Sequence, residues 1–353
     1  MTQEQIQKLE GSIKNLKEKK SKIYLLVQDT KGNAKASISY TYHLGMALLE
    51  KGYNPIILHE KPDYVGVAGW LGNEFMEKLP HRAIEGQNLE VAPEDFIIIP
   101  ELFGFVMPQI TKLTCGKVVL CQAYDHILET LQPGQTWAQL GFHKCITTSE
   151  KQKEVIEGIM RNTSFDILPP FISENFEVSK FPAKPFVAIH SREQRDTANF
   201  IKSFYVKFPQ YRWITFRDMR GLSEKEFANA IKDCFLSVWI DETSGYGTFP
   251  LESMKTGVPV LGLTPNVIPQ WMNEDNGLWI NNKTQLVDFA SQFLQNWLEE
   301  NVNEGLYEGM KKTVSELPSK EDFYSKADSI FGDFINSRLT SFEEQLNKLE
   351  TIE

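Results

Sequence analysis

The stretch that most restricts what this chain can become runs from Asp241 to Leu263. An apolar run, Phe235 to Ile240, reads as a buried strand that Asp241 ends, and a second, Val258 to Leu263, starts the next strand. Between them, Gly245 and Gly247 let the backbone turn sharply and leave main-chain N–H groups uncovered by side chains. Thr248 stands where a helix N-cap belongs, and Pro250 falls in the first turn, where a missing N–H costs nothing. That helix can run only to about Thr256 before Gly257 stops it. A glycine loop thus feeds a helix N-terminus at the carboxyl end of a strand, a place suited to an anion.

A Gly-x-Gly ahead of a helix is weak alone, because turns use glycine for purely steric reasons. Glu252, one turn into the helix, adds to it. The run Gly245-Tyr246-Gly247-Thr248-Phe249-Pro250-Leu251-Glu252-Ser253-Met254, followed by Gly257-Val258-Pro259-Val260, resembles the retaining glycosyltransferases of family 4. Their signature is a pair of glutamates around Gly-Phe-Gly-x-Pro-x-x-Glu-Ala-Met, with Gly-x-Pro-Val behind. The second family glutamate falls on Glu252, and the first falls on Ser244, a departure, with Glu242 nearby but out of register. The resemblance implies an α/β fold of two Rossmann-like doubly wound domains facing a cleft (the GT-B fold), with extra N- and C-terminal helices.

The rest of the chain accommodates that size. Its 353 residues, 41% hydrophobic, suffice for two domains. A net charge of −10 argues against a general nucleic-acid surface. No apolar run approaches a membrane span, and the charged N-terminus does not read as a signal peptide. Cys115, Cys121, Cys145 and Cys234 lack zinc-type pairing and sit in or beside apolar strands, so they read as reduced core thiols of a cytosolic protein.

Taken in order, residues 2–20 form an amphipathic helix with Ile6, Leu9, Ile13 and Leu16 on one seam and a basic face from Lys14 to Lys22. That face leaves open packing on the same chain or a peripheral membrane contact. Lys22 to Val27, a helix through Leu44 to Leu49, and Pro55 to Leu58 make one βαβ unit. Asp95 to Pro100 and Lys117 to Gln122 read as parallel strands buried on both faces, followed by Glu101 and by Tyr124-Asp125-His126. Lys144 to Thr148 is a further strand, and Ser149 with Gln152 caps the next helix. Four prolines within residues 166–185 mark the domain boundary. Phe186 to Ile189 opens the second domain, with His190, Ser191, Arg192 and Arg195 at its carboxyl end. Tyr211 to Phe216 is the next strand, and Ser223 with Glu226 caps a helix from Glu224 to Cys234. Residues 331–352 repeat the narrow seam with Leu339, Phe342, Leu346 and Leu349, which points to a two-helix contact between the chain ends, within one chain or across a homodimer.

These readings give an N-terminal helix (residues 1–21), an acceptor domain (22–178), a nucleotide-sugar domain (179–325) and a C-terminal helix crossing back to the first domain (326–353). By resemblance, the chain moves a sugar from a nucleotide-sugar donor to an acceptor (a glycan, a lipid-linked glycan or other) with retained anomeric configuration. The donor is a co-substrate; no cofactor and no metal is expected. Ser244, Gly245, Tyr246, Gly247 and Thr248 line the donor, with the backbone N–H groups at Gly247 and Thr248 holding the diphosphate, and Glu252 grips the ribose. Arg192 stands for the family's arginine and Arg195 for its lysine, both at the diphosphate. The segment from Arg217 to Arg220 lies near the base. Asp125 and His126 answer to a His-Asp pair near the reacting sugar, and Lys31, Gly32 and Asn33 face the acceptor. A nucleotide-sugar epimerase, a DNA-modifying glycosyltransferase and a non-catalytic subunit of the same fold are the competing readings.

Overall fold

The structure is a computed structural model that describes residues 3–86, 89–180, 182–243, 245–301 and 303–350. The chain divides into two compact units: Met1–Thr148, Lys153–Pro169 and Glu321–Glu353 in the first, Ser149–Gln152 and Pro170–Lys320 in the second.

The first unit runs α1 (Gln3–Lys17), β1 (Lys22–Leu26), α2 (Ala36–Glu50), β2 (Asn54–His59), α3 (Asn73–Lys78), β3 (His81–Ala83), β4 (Phe96–Pro100), β5 (Gly116–Cys121), α4 (Tyr124–Thr130), β6 (Lys144–Thr147), α5 (Glu150–Ile159) and β7 (Ser164–Ile167). Its seven strands lie in the order β3-β2-β1-β4-β5-β6-β7, every neighbouring pair parallel. The apolar runs demand this. All five residues of β4 are buried, and a strand with no wettable face needs cover on both sides, which crossover helices supply. Strand order reverses between β1 and β4, so ligands are expected at the carboxyl ends of those two strands.

The second unit runs β8 (Lys184–Ser191), α6 (Gln194–Lys207), β9 (Thr215–Asp218), α7 (Glu224–Ile231), β10 (Cys234–Ile240), α8 (Thr248–Lys255), β11 (Val260–Leu263), β12 (Leu278–Ile280), α9 (Leu286–Leu298) and α10 (Glu304–Ser315). The five strands are parallel in the order β12-β11-β10-β8-β9. Alternation along β8 separates two cores. Val187 and Ile189 pack with Phe200, Phe204 and Leu294, and Ala188 packs with Ile231, Leu251 and Met254. The chain leaves β8 to one side for β9 and returns to the other side for β10. The switch point of this sheet is therefore between β8 and β10.

Several boundaries differ from the sequence reading. The strand expected at Tyr211 to Phe216 is β9, Thr215–Asp218. Pro209 opens a 3-10 turn, and the Ile214 N–H donates to the Tyr211 carbonyl (3.0 Å), so this backbone closes on itself before the ladder begins. The helix after Ser223 ends at Ile231 rather than Cys234, which already belongs to β10. Its capping box is formed in full. The Ser149 hydroxyl accepts the Gln152 N–H at 3.2 Å.

The last helix, α11 (Lys320–Glu350), begins well before the expected Phe331 and belongs to the first unit. Phe323, Ala327, Ile330, Phe331, Phe334 and Ile335 are buried on its first half, a broad face rather than a narrow seam. Further along, Phe342 is buried while Leu339, Leu346 and Leu349 are half-buried. Near its end, Glu343 pairs with Lys17 of α1 at 2.8 Å. On α1, Ile13 and Leu16 are buried and Ser12 and Asn15 donate to the Glu94 carboxylate at 2.7 and 2.8 Å.

Candidate functional site

The site of the second unit is built where β8 and β10 end. Asp241 follows β10, and its Oδ1 accepts the Thr243 N–H at 2.9 Å, bending the chain out of the sheet. Ser244 lies outside the described residues. The Gly245 N–H donates to the Thr243 carbonyl at 2.8 Å. Tyr246 is buried, and its carbonyl accepts the Trp271 indole N–H at 2.7 Å, which pins the loop to the body of the unit. The N-cap of α8 is Gly247, in the left-handed conformation at φ +75°, and not Thr248, which is the first helical residue. A side chain at Gly247 would meet the Trp271 ring 3.0 Å from its Cβ, so glycine is needed here for space as well as for conformation. With no side-chain cap and with Pro250 in the first turn, the N–H groups at the start of α8 have no intrahelical acceptor. They present partial positive charge at the switch point.

Across from this loop, β8 ends at Ser191, whose hydroxyl lies 2.6 Å from Thr197 Oγ1 and fixes the turn into α6. Arg192 follows, largely exposed, with Nε 3.9 Å from Asp241 Oδ1. This contact joins the ends of β8 and β10. Arg195 sits in the first turn of α6 and is exposed. The side chain before Ser191 is His190, whose ring stacks on Phe249 at 5.1 Å between centroids. From β9, Asp218 holds Arg220 through Oδ1 and Nε at 2.9 Å.

Glu252 stands one turn into α8, partly buried. Burial and the nearby Glu224 carboxylate push its pKa up to about 8. Glu224 is itself engaged, accepting from the Ser173 hydroxyl and the Asn175 amide at 2.6 Å each. Glu252 is therefore a carboxyl group held largely protonated at neutral pH, with a proton to give up when a donor to its oxygens arrives.

In the first unit, Glu101 follows β4 at the switch point and is buried at 2% exposure. Its Oε1 accepts the Ala123 N–H at 2.8 Å, and burial raises its pKa to about 7. Asp125 and His126 are not in a loop but in the first turn of α4, and His126 Nδ1 lies 3.0 Å from Glu129 Oε2. Lys31, Gly32 and Asn33 form an exposed turn after β1. Lys31 pairs with Asp29 at 2.7 Å, and the Asn33 amide donates to the Thr30 carbonyl at 2.9 Å. Among the described residues no cluster of three or more His, Cys, Asp or Glu could hold a metal ion. No helix among them is long and apolar enough to cross a membrane.

The structure thus brings Arg192, Gly245, Tyr246, Gly247, Thr248 and Glu252 into one unit around one strand-end junction. Asp125 and His126 lie on the other unit. The sequence reading gave no role to Asp241, Trp271, Glu224 or His190. Asp241 was visible only as a strand terminator, and nothing local ties Trp271 to a loop 25 residues earlier.

No protein-family model and no curated protein matches the chain. Solved structures do. Sucrose-phosphate synthase from Thermosynechococcus elongatus superposes with a TM-score of 0.66 at 13% identity, covering 90% of this chain and 100% of that one. The pneumococcal O-GlcNAc transferase GtfA, solved with UDP and GlcNAc, gives 0.62 at 8% identity over 90% and 99% of the two chains. HepE from Anabaena, solved with UDP and glucose, gives 0.57 at 12% identity over 94% and 99%. At these identities the shared property is the fold. The chain has the two-domain GT-B fold of these glycosyltransferases.

Proposed function

We propose that the chain is a glycosyltransferase that moves a sugar from a nucleotide-sugar donor to an acceptor with retention of configuration and without a bound metal. The observation that carries this reading is the junction of the second unit: an uncapped helix N-terminus behind Gly247, with Glu252 one turn in and Arg192 at the end of the neighbouring strand. A departing nucleoside diphosphate develops negative charge. In this reading the first N–H groups of α8 and the Arg192 guanidinium meet that charge, which is the stabilisation a metal would otherwise provide. Arg195 adds a second cation from α6. Glu252 loses its proton on binding and accepts from the ribose hydroxyls. The UDP bound in the GtfA and HepE structures supports a nucleotide as the ligand. The acceptor falls to the first unit, at Lys31 to Asn33 and at Asp125 and His126.

A panel of nucleotide sugars, scored first by thermal stabilisation and then by turnover on simple sugar acceptors, tests the proposal. Proton NMR of the product gives the anomeric configuration, and the same assay in EDTA tests metal independence. No stabilisation by any nucleotide sugar would overturn the reading, and an inverted product would overturn the retaining part. Product formed with no acceptor present would point to an epimerase. A second reading, a donor-binding subunit without turnover, is favoured by Ser244 standing in place of a glutamate. Stabilisation without product on any acceptor is its signature. Neither the homodimer nor the membrane contact expected of the terminal helices has an observation in its favour, and the Lys17–Glu343 and Lys19–Asp328 pairs join the two ends within one chain.

A further inference from the structure

His190 belongs to none of the roles above, yet its placement is unusual. It is the next-to-last residue of β8, opposite Trp239 of β10 in the ladder, at the switch point of the sheet. Alternation along β8 turns it to the face of Ala188, toward α7 and α8, away from the side where Ser191 meets Thr197. There the ring lies nearly parallel to Phe249, the second residue of α8, with an interplanar angle of 23°. Phe227 of α7 backs Phe249 at 5.9 Å. The imidazole is thereby clamped beside the first turn of the helix whose N–H groups are uncapped.

Its hydrogen bonding is incomplete. His190 Nδ1 is inaccessible to water and has no partner among the described residues. A buried polar atom left unpaired costs roughly 1–3 kcal/mol, less where it is a lone pair than where it is a proton. That asymmetry selects the tautomer with the proton on Nε2. The residue as a whole is partly exposed while Nδ1 is not, so the exposed edge is the one that carries Nε2–H. The charged groups facing it are Asp241 after β10, and Asp218 and Arg220 at the end of β9, while α8 packs the Phe249 ring on it. Burial outweighs the two carboxylates and lowers the imidazole pKa below its usual 6.5, so the ring is neutral at pH 7.

We propose that His190 is a ligand of the nucleoside diphosphate, its neutral imidazole donating from Nε2–H to a phosphate oxygen. The inference rests on the donor site assigned above. A diphosphate at the start of α8 supplies an acceptor for the accessible Nε2–H, while Nδ1, buried and without an acceptor, keeps its lone pair in the complex. The same N–H then meets the charge that grows on the diphosphate as the sugar leaves.

Calorimetric titration of the full chain with UDP and with uridine at pH 7 separates the phosphate contact from those to base and ribose. His190→Phe keeps the stack on Phe249 and removes the N–H. We expect it to weaken UDP roughly three- to tenfold, as for one lost hydrogen bond, and to leave uridine affinity unchanged. The imidazole nitrogen resonances of the unaltered protein, which has six histidines, provide a readout independent of the variant's folding. One protonated ring nitrogen should shift on adding UDP at pH 7 but not on adding uridine, while that imidazole stays neutral. Equal UDP affinity in a folded His190→Phe, or no imidazole nitrogen answering UDP beyond uridine, would overturn this inference alone. Absence of binding by UDP, GDP and ADP would overturn the donor site and this inference with it.

Discussion

Glu252 and Arg192 stand at the same strand-end junction but differ in how much stability they carry. An ordinary glutamate ionises near pH 4.5, and Glu252 does so near 8. Between those values the folded chain holds a proton that the unfolded chain has lost, so stability falls as pH rises through that window. Glu252→Gln keeps the shape of the protonated acid and removes the titration. We expect it to be more stable than the parent by on the order of 2–3 kcal/mol at pH 7. It should also show a flatter stability profile from pH 5 to 8 and bind nucleotide sugars about ten- to a hundredfold more weakly. Urea melts at four pH values, with calorimetry beside them, check both halves; parallel profiles for the two proteins would show that the carboxyl is not held protonated. Arg192 is exposed and meets Asp241 at 3.9 Å, a contact worth little to the fold. Arg192→Ala should therefore leave the melt within about 0.5 kcal/mol while lowering kcat far more than acceptor KM, because its partner charge grows in the transition state. Steady-state kinetics that match the parent would return Arg192 to the surface.

At the level of elements, the loop into α8 was the most legible part of the chain, and it also shows where reading stops. Gly245, Gly247, Pro250 and Gly257 gave the helix bounds within a residue, because glycine and proline limit the backbone wherever they stand. The N-cap was misplaced by one, at Thr248, because a threonine hydroxyl is a good cap and nothing nearby reveals that Gly247 is left-handed and lies against the Trp271 ring. Gly247→Ala tests that crowding. An L-residue in this conformation costs ~1–2 kcal/mol, and a Cβ 3.0 Å from the Trp271 ring adds to it. Denaturation should show a loss of about 2 kcal/mol, and UDP affinity should fall because the loop must shift to relieve the contact. If Gly247→Ala is as stable as the parent, the loop is not held as described. Strand β9 was misread for a different reason. Tyr211 to Phe216 has strand composition, but its first half is spent in a turn that a local pattern cannot separate from a strand start. His190 was overlooked because an apolar strand ending in a histidine looks the same whether or not its ring nitrogen finds a partner.

At the level of the molecule, the two doubly wound units were expected from the resemblance around the glycine loop and from the alternation of strands and helices. The return of the C-terminal helix to the first domain was expected with them; the face that helix uses was not. Its last residues carry a narrow seam that suggested a two-helix contact or a dimer. The energy lies earlier, where α11 covers the first unit with Phe323, Ala327, Ile330, Phe331 and Phe334. Polar contacts fix its register. Asp328 accepts from the Tyr53 hydroxyl at 2.8 Å and pairs with Lys19 at 3.3 Å, and Arg338 donates to the Pro93 carbonyl at 3.1 Å. Although burial opposes it, these Tyr53 and Lys19 contacts hold the Asp328 pKa below the usual carboxylate value. Its contribution is thus present above about pH 4 and is lost as pH falls through the folded value. If α11 is a structural wall of the first unit, Phe331→Ala should cost about 3–5 kcal/mol, as for other buried aromatic truncations. Asp328→Asn should cost less and should flatten the acid end of the stability curve. Neither change should alter the sedimentation of the folded chain. If α11 served instead as an association surface, Phe331→Ala would leave the melt of a dilute sample unchanged and shift the sedimentation coefficient. Melts at two protein concentrations, read together with sedimentation, separate these outcomes, because a wall gives a concentration-independent loss and an interface does not.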